Sequence, residues 1–296
     1  MSRNLSYTIE AQDLPSTLGA YLRRKGYSEK LLARLRREDR VRVNEEFHRM
    51  IDPIALGDAV EVCLEDQAPP LIPNPKLNIS ILYEDEDLVV LDKPADMLVH
   101  PAGKGFDDAL ANFCAARYPR QLFRPVGRLD RNTTGACLIA KTKLTASLLS
   151  GDVDKDYLAL AEGLLAAEEG LIDAPLLRVP GTTIRRRVDP AGQPSQTRFR
   201  LLQSFPKLGP NGHSWLRLKL LTGRTHQIRA HMAYLGHPLA GDSLYGGSTE
   251  LIGRHALHCA VLRFRQPVTG EELEIRSPLP PDLQQLLQQA GGDIPV

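Results

Sequence analysis

The chain has 296 residues, of which 42% are hydrophobic and 25% charged, a composition that can bury a core without disulfide or metal staples. Lysine and arginine number 37 against 36 acidic residues, which excludes a strongly basic or acidic protein class. The four cysteines form no Cys-x-x-Cys pair, which argues against a disulfide framework. No apolar stretch reaches the length of a membrane span, and we expect a soluble, cytoplasmic monomer without a membrane partner.

Residues 14–37 carry apolar side chains at helical spacing and predict two helices, separated at Gly26, with Ser28 as the second N-cap. Short strands are expected near residues 41–44 and 59–62. Residues 23–42 hold nine basic side chains and three acids, which is typical of a phosphate-binding face. A solvated helix face is the alternative. The candidate RNA contacts in this block are Arg23, Arg24, Arg34, Arg37 and Arg40.

Four prolines within residues 67–75 predict a semi-rigid linker. We therefore divide the chain into a small RNA-binding module (1–66), a linker (67–78) and a larger domain (79–296). Strands are expected near 79–82, 88–91, 136–140, 157–161, 215–221 and 261–264, and helices near 109–117, 144–150, 225–235 and 281–289. Because strands and helices do not alternate, the pattern favours an α+β fold with a mixed, mainly antiparallel sheet over a doubly wound parallel sheet.

Three segments carry polar residues that packing does not readily explain. Asp130 lies between two arginines in the loop 127–135, just before an apolar strand, although turn formers are ordinary in such a position. Arg224 lies where a strand ends and a helix, capped by Thr225, is expected to begin, a position that favours anions. Tyr157 begins a strand and has packing as its alternative role. An arginine beside a carboxylate keeps it charged and fixes its direction, so we expect Arg224 to pair with Asp130.

These segments resemble the RluA/RluD-type RNA pseudouridine synthases. The resemblance rests on ordered motifs: Arg128-Leu129-Asp130 with Thr133-Thr134-Gly135, then Gly223-Arg224-Thr225-His226-Gln227-Ile228-Arg229, Gly236-His237-Pro238-Leu239-Ala240-Gly241-Asp242 and His255-Ala256-Leu257-His258. The opening strands, residues 83–94 with Val99-His100-Pro101, are also similar to that family. Gly127 stands where the family often has His, and Thr134 where Ser is frequent. The N-terminal unit resembles a small RNA-binding module named after a ribosomal small-subunit protein.

The resemblance implies that the chain isomerises uridine in RNA without a cofactor or metal. It assigns the catalytic carboxylate to Asp130, the ring against the base to Tyr157 and the carboxylate partner to Arg224. Arg128 would fill the gap that a flipped base leaves in the stack. Further RNA contacts are expected at Arg131, Thr134, His226, Gln227 and Arg229. We expect large-subunit ribosomal RNA as the substrate, with transfer RNA as the alternative.

Other readings of the same residues lead to different classes of protein. Five histidines between residues 226 and 258 suggest a metal enzyme, but none has the spacing of a zinc site. An RNA-binding or ribosome-assembly protein that has lost catalysis would need only the N-terminal module. A small-molecule hydrolase with Asp130 as nucleophile would leave the basic block unexplained, and the chain has no Gly-x-Ser-x-Gly loop.

Overall fold

The computed structural model describes residues 2–65, 71–103, 105–119, 123–182 and 184–292. Residue 66, at the end of the predicted module, and residues 67–70 of the predicted linker fall outside them. The helices are α1 (Leu18–Arg24), α2 (Glu29–Arg37), α3 (Leu110–Arg117), α4 (Lys143–Leu148), α5 (Gln227–Tyr234) and α6 (Pro281–Gln289). A short 3-10 turn at Ala11–Asp13 precedes α1.

The N-terminal residues build a four-stranded antiparallel sheet covered by two helices. Its strands are β1 (Ser2–Thr8), β2 (Val41–Val43), β3 (Glu46–Phe47) and β4 (Ala59–Glu65), in the order β1-β4-β2-β3. The predicted helix pair is confirmed, since Ser28 accepts a hydrogen bond from Leu31 N as the N-cap of α2. Thr17 caps α1 in the same way. The apolar residues at helical spacing are all buried against the sheet, namely Leu18, Leu22, Leu31, Leu32 and Leu35.

The helix pair packs directly on the larger part of the molecule. Leu144 and Leu148 of α4 belong to the same apolar cluster as α1 and α2. Gly26 has φ +88° between the two helices, and a Cβ there would lie 2.1 Å from Leu148 Cδ2. Glycine is therefore required both by the backbone conformation and by the approach of α4. Across the same boundary, Arg3 Nε donates to Asp87 Oδ1 at 3.0 Å.

A ten-stranded sheet forms the centre of the molecule. Its strands are β5 (Ser80–Glu84), β6 (Leu88–Lys93), β7 (Arg124–Pro125), β8 (Thr134–Ala140), β9 (Asp154–Glu162), β10 (Glu169–Asp173), β13 (Gln196–Phe205), β14 (His213–Leu220), β15 (Leu257–Arg265) and β16 (Glu272–Arg276). The path is β10-β13-β14-β9-β15-β8-β6-β5, with β16 on β15 and β7 on β8. Among the strands of the described residues only β15 and β8 run parallel, so the expected α+β class with a mainly antiparallel sheet is confirmed. A separate hairpin joins β11 (Leu176–Arg178) to β12 (Arg186–Val188).

Side chains of β9 alternate between two apolar clusters, as the period of a strand requires. Tyr157 packs with Ile228 and Met232 of α5 on one face. Leu158 packs with Leu283 of α6 on the other face. The central sheet therefore separates α5 from α6, and Tyr157 lies on the α5 side.

Candidate active site

The loop from Arg128 to Thr133 carries Asp130 and is held from beneath by a buried lysine. Lys93 Nζ donates to Pro94 O, Met97 O and Arg131 O at 2.7, 2.8 and 2.9 Å. The side chain is fully buried at the end of β6, and burial lowers the pKa of Lys93 to about 8. One ammonium group thus joins the loop of Asp130 to residues 94–97.

Residues after β14 hold the far side of the loop. Arg254 Nη1 donates to Asn132 O at 3.1 Å, while its Nε and Nη2 bind both carboxylate oxygens of Asp282 at 2.7 and 2.9 Å. Asp282 lies in the first turn of α6. The position of the loop is therefore tied to the start of α6, on the opposite face of the sheet.

Two consecutive threonines fix the end of the loop to two buried histidines. Thr133 Oγ1 and His255 Nε2 lie 2.9 Å apart, as do Thr134 Oγ1 and His258 Nδ1. Burial lowers the pKa of His255 to about 2 and that of His258 to about 4. Both rings are therefore neutral at physiological pH, and each forms a single hydrogen bond with its threonine hydroxyl.

Asp130 projects into a cleft, where a single arginine binds both Asp130 and a second carboxylate. Arg229 Nη1 donates to Asp130 Oδ2 at 3.2 Å, and Arg229 Nε and Nη2 bind Asp242 at 2.7 and 2.8 Å. His226 Nε2 lies 3.7 Å from the same Oδ2. Within the described residues Oδ1 of Asp130 accepts no hydrogen bond, so Arg229 holds one oxygen of the carboxylate and the other has no protein donor.

The predicted pair between Arg224 and Asp130 is wrong. The guanidinium of Arg224 is exposed, and its Nε donates to Pro194 O at 3.4 Å. The cause lies in where α5 begins: its N-cap is His226, with φ +55°, and its first residue is Gln227. The left-handed residue turns the chain between Arg224 and the helix, and Arg229 in the first turn then faces Asp130. The prediction of Thr225 as the cap is wrong for the same reason.

Gln227 stabilises this turn with both ends of its side-chain amide. Its Oε1 accepts from Arg224 N at 3.0 Å and from Thr222 Oγ1 at 2.9 Å. Its Nε2 donates to Gln196 O and to Thr197 Oγ1. All four contacts are structural, and so is that of Thr134, whose hydroxyl is buried against His258. The expectation that Gln227 and Thr134 contact RNA is therefore not supported by their geometry.

Tyr245 belongs to the site although it was not among the predicted residues. Its hydroxyl lies 3.1 Å from His226 Nδ1 and accepts from Arg186 N at 2.9 Å. The guanidinium carbon of Arg229 lies 5.1 Å from the centre of its ring. Tyr245 therefore contacts both His226 and Arg229, the two side chains that approach Asp130 Oδ2, and it anchors β12 beside them. Asp242, Lys93 and Arg254 were missed as well; the sequence motif that ends at Asp242 was the available signal.

The cleft brings most of the other predicted residues together. Tyr157 is 5% exposed and lines it, and burial raises the pKa of its phenol well above the usual range. The ring is therefore a neutral hydrogen-bond donor. Arg128 and Arg224 lie at the exposed edge, and the lining is completed by Leu129, Asp130, Thr133, Leu220, His226, Gln227, Ile228, Arg229 and Leu257. Arg131 does not line the cleft and pairs with Asp96 at 2.8 Å.

The basic N-terminal block lies apart from the cleft-lining residues, and much of its charge is paired locally. Arg23 pairs with Glu29, Arg37 with Glu38 at 3.4 Å and Arg42 with Asp39. Arg24 donates to Asp13 O, Arg40 lies 3.6 Å from Cys63 Sγ, and Arg34 is half-buried. These exposed ion pairs fit the alternative of a solvated helix face as well as a phosphate-binding face.

Among the described residues, no group of three or more His, Cys, Asp or Glu side chains is arranged to hold a metal ion. No helix in that part of the chain is long and apolar enough to cross a membrane.

Comparison with known proteins identifies the family. Residues 87–234 match the model of the RNA pseudouridylate synthases. The chain belongs to this family. It is 38% identical over 258 residues to an uncharacterized RNA pseudouridine synthase of Bacillus subtilis, covering 83% of each protein. It is 40% identical over 233 residues to the ribosomal large subunit pseudouridine synthase D of Vibrio cholerae, covering 71% of this chain and 70% of that protein.

The solved structures agree. The human RNA pseudouridylate synthase domain containing 1 superposes with a TM-score of 0.58 at 28% identity, over 76% of this chain and all of that one. The human domain containing 4 gives a TM-score of 0.59 at 22% identity and supports the fold. This pseudouridine synthase is thus an isomerase that acts on RNA, as the sequence resemblance predicted.

Proposed function

We propose that Asp130 is the catalytic carboxylate with which this synthase converts uridine to pseudouridine. The observation that carries the proposal is the asymmetry of its contacts: Oδ2 is held by Arg229, while Oδ1 accepts no hydrogen bond from the described residues. A held carboxylate with one open oxygen, in a cleft lined by a neutral tyrosine, suits covalent or general-base chemistry at a nucleoside. The reaction moves the glycosidic bond from nitrogen to carbon 5 and gains or loses no atom, so no redox partner is required.

Other side chains of the cleft have distinct roles in this proposal. Arg229 fixes the direction of the Asp130 carboxylate, with Asp242 fixing the guanidinium from behind. The ring of Tyr157 lies against the base, and its neutral hydroxyl helps move the proton on carbon 5. The exposed Arg128 occupies the gap in the stack when the uridine is flipped out, a step that costs a few kcal/mol. Arg224, at the cleft edge, binds an RNA phosphate.

We further propose large-subunit ribosomal RNA as the substrate and a division of labour along the chain. The printed names of relatives such as that of Vibrio cholerae support the substrate. Residues 1–66 would act as an RNA-binding module, 67–78 as a linker and 79–296 as the catalytic domain. The apolar cluster of the N-terminal sheet and helix pair is distinct from that of the central sheet, although Leu144 and Leu148 of α4 join it, and it supports such a module.

Pseudouridine mapping of total RNA, in cells with and without the gene, tests both the activity and the substrate. Loss of pseudouridine at a large-subunit site, restored by the wild-type gene and not by Asp130→Asn, is the expected result. Restoration by the variant would refute the catalytic role of Asp130. A site in transfer RNA would replace the substrate, and an unchanged map with intact RNA binding would favour an assembly protein.

A further inference from the structure

Four basic side chains form a square on the exposed surface of the central sheet. Arg198 and Arg200 lie on β13, and Arg217 and Lys219 lie on β14. The strand register places Arg198 directly opposite Lys219 and Arg200 directly opposite Arg217. The three arginines are exposed and Lys219 is half-buried. We call these four residues the basic square.

The basic square lies on the face of the sheet that is turned away from the cleft. Residues directly opposite each other in a sheet share a face. Arg217 lies opposite Leu158 of β9, whose side chain packs in the apolar cluster of α6. Tyr157, the next residue along β9, lines the cleft on the other side. The basic square is therefore behind the cleft, separated from it by the thickness of one sheet.

The arginines of the square are not neutralised by the protein. Within the described ranges, the guanidinium groups of Arg198, Arg200 and Arg217 make no ion pair and no hydrogen bond. Lys219 pairs with Asp154 at 2.6 Å. Glu169 of the neighbouring strand β10 lies directly opposite Arg200 but forms no ion pair with it. Other exposed arginines of the sheet are paired with acids, including Arg263, Arg265 and Arg276. Like charges directly opposite each other destabilise a sheet, and a bound anion would relieve the repulsion between Arg200 and Arg217.

We propose that the basic square binds the phosphate backbone of the RNA substrate, at a second contact region behind the active cleft. This inference rests on the proposed action on a large folded RNA. Arginines with free guanidinium groups bind phosphates in bidentate fashion and without regard to sequence. A single strand held in the cleft does not reach the opposite face of the sheet. The square therefore contacts a neighbouring helix of a folded RNA and supplies affinity for long substrates only.

The test removes the three free arginines together, as Arg198→Gln, Arg200→Gln and Arg217→Gln. The matched control is Arg117→Gln, Arg265→Gln and Arg276→Gln, which removes the same charge from exposed arginines already paired with acids. Binding of a mixed-sequence RNA duplex is measured over a range of salt concentrations. We expect the first variant to lower the slope of log affinity against log salt by about 2 to 3, at roughly 0.7 to 0.9 per phosphate. The control keeps the wild-type slope.

The wild type and the two triple variants are also assayed for pseudouridine formation. The substrates are ribosomal RNA and a short oligonucleotide that contains the mapped uridine. The proposal expects a raised KM for the long RNA, an unchanged kcat, and no effect on the short substrate. Equal salt slopes for the two triple variants would overturn it. The proposal would also be overturned if the variant of the basic square lost binding to polyglutamate while its RNA binding stayed unchanged, because the square would then bind an acidic protein. Absence of pseudouridine from the wild-type reaction would refute the proposed function while leaving the salt-slope result decisive for the square.

Discussion

Arg229 in the cleft and Arg23 on the N-terminal helices each hold a carboxylate, but in different surroundings. The side chain of Arg229 is 8% exposed and bridges Asp130 and Asp242, both from other segments of the chain. Arg23 is 52% exposed, and its partner Glu29 is six residues away. Removing one member of a buried pair leaves an uncompensated charge, whereas an exposed pair contributes little. Arginine therefore fixes the position of carboxylates in the cleft, whereas on the N-terminal helices it contributes only surface charge.

The largest expected effect comes from Arg229→Gln. Because Asp242 has a side chain only 1% exposed, leaving it unpaired should lower the free energy of unfolding by about 3–5 kcal/mol. Activity should fall on the order of 10³-fold, since Asp130 loses its directing cation. Urea denaturation and single-turnover kinetics measure the two effects.

A double variant separates these effects. Arg229→Gln with Asp242→Asn should recover most of the stability and none of the activity, because the buried charge is gone while Asp130 remains undirected. Arg23→Gln is the control and should change neither quantity. Equal stability losses for Arg229→Gln and Arg23→Gln would remove the distinction between the two regions.

The next largest effect is expected for Lys93→Met, which keeps the length of the side chain and removes its donors. Three buried carbonyl contacts are lost, which should cost roughly 3 kcal/mol of stability. Loosening the loop of Asp130 should also lower kcat on the order of tenfold. The exposed Lys207→Met is the control. A stable Lys93→Met with full kcat would show that the loop is positioned without this lysine.

A smaller effect concerns acid stability. Burial lowers the pKa of His258 to about 4 from an ordinary value of 6.5, so below pH 6.5 the unfolded chain binds a proton that the folded chain does not. The stability is therefore lost as pH falls, by at most about 1.4 kcal/mol per pH unit for this residue. His258→Gln should flatten the difference in unfolding free energy between pH 7 and pH 5. An identical pH profile would mean that His258 is protonated in the fold.

The smallest effect is expected on the N-terminal helices. Arg36 and Arg37 are exposed on α2, and replacing both with Gln should lower the salt slope of RNA binding by about 1 to 2. Substitution of Arg40, a further candidate, would also disturb its contact with Cys63. Cleft chemistry should be unchanged at saturating RNA. An unaltered salt slope would favour the solvated-face interpretation of this block.

The sequence predicted those features that depend on local pattern. The helix pair, the strand-rich region and the polar loop of Asp130 follow from periodicity and turn chemistry, and all are present. The strands β1, β10, β13 and β16 were missed, and so was the hairpin of β11 and β12. Most of these segments are short, and tertiary pairing decides their structure; β13 does alternate between buried and exposed residues at its start, and that signal was overlooked.

The partner of Asp130 was not predictable in the same way. Choosing Arg229 over Arg224 depends on the left-handed backbone of His226, which side-chain periodicity does not encode. Tyr245 lies outside any regular element, and its role arises from three contacts with distant residues. Conversely, Gln227 and Thr134 were predicted to contact RNA because the sequence alone does not distinguish a polar residue that makes buried structural hydrogen bonds from one that contacts a ligand.

The contacts of the loop that carries Asp130 also determine when that loop can be fixed during synthesis of the chain. Thr133 bonds to a histidine 122 residues further along, and Asn132 O depends on an arginine at the same separation. Asp282, which fixes that arginine, follows later still. A nascent chain that has not yet delivered α6 therefore lacks the supports that aim Asp130.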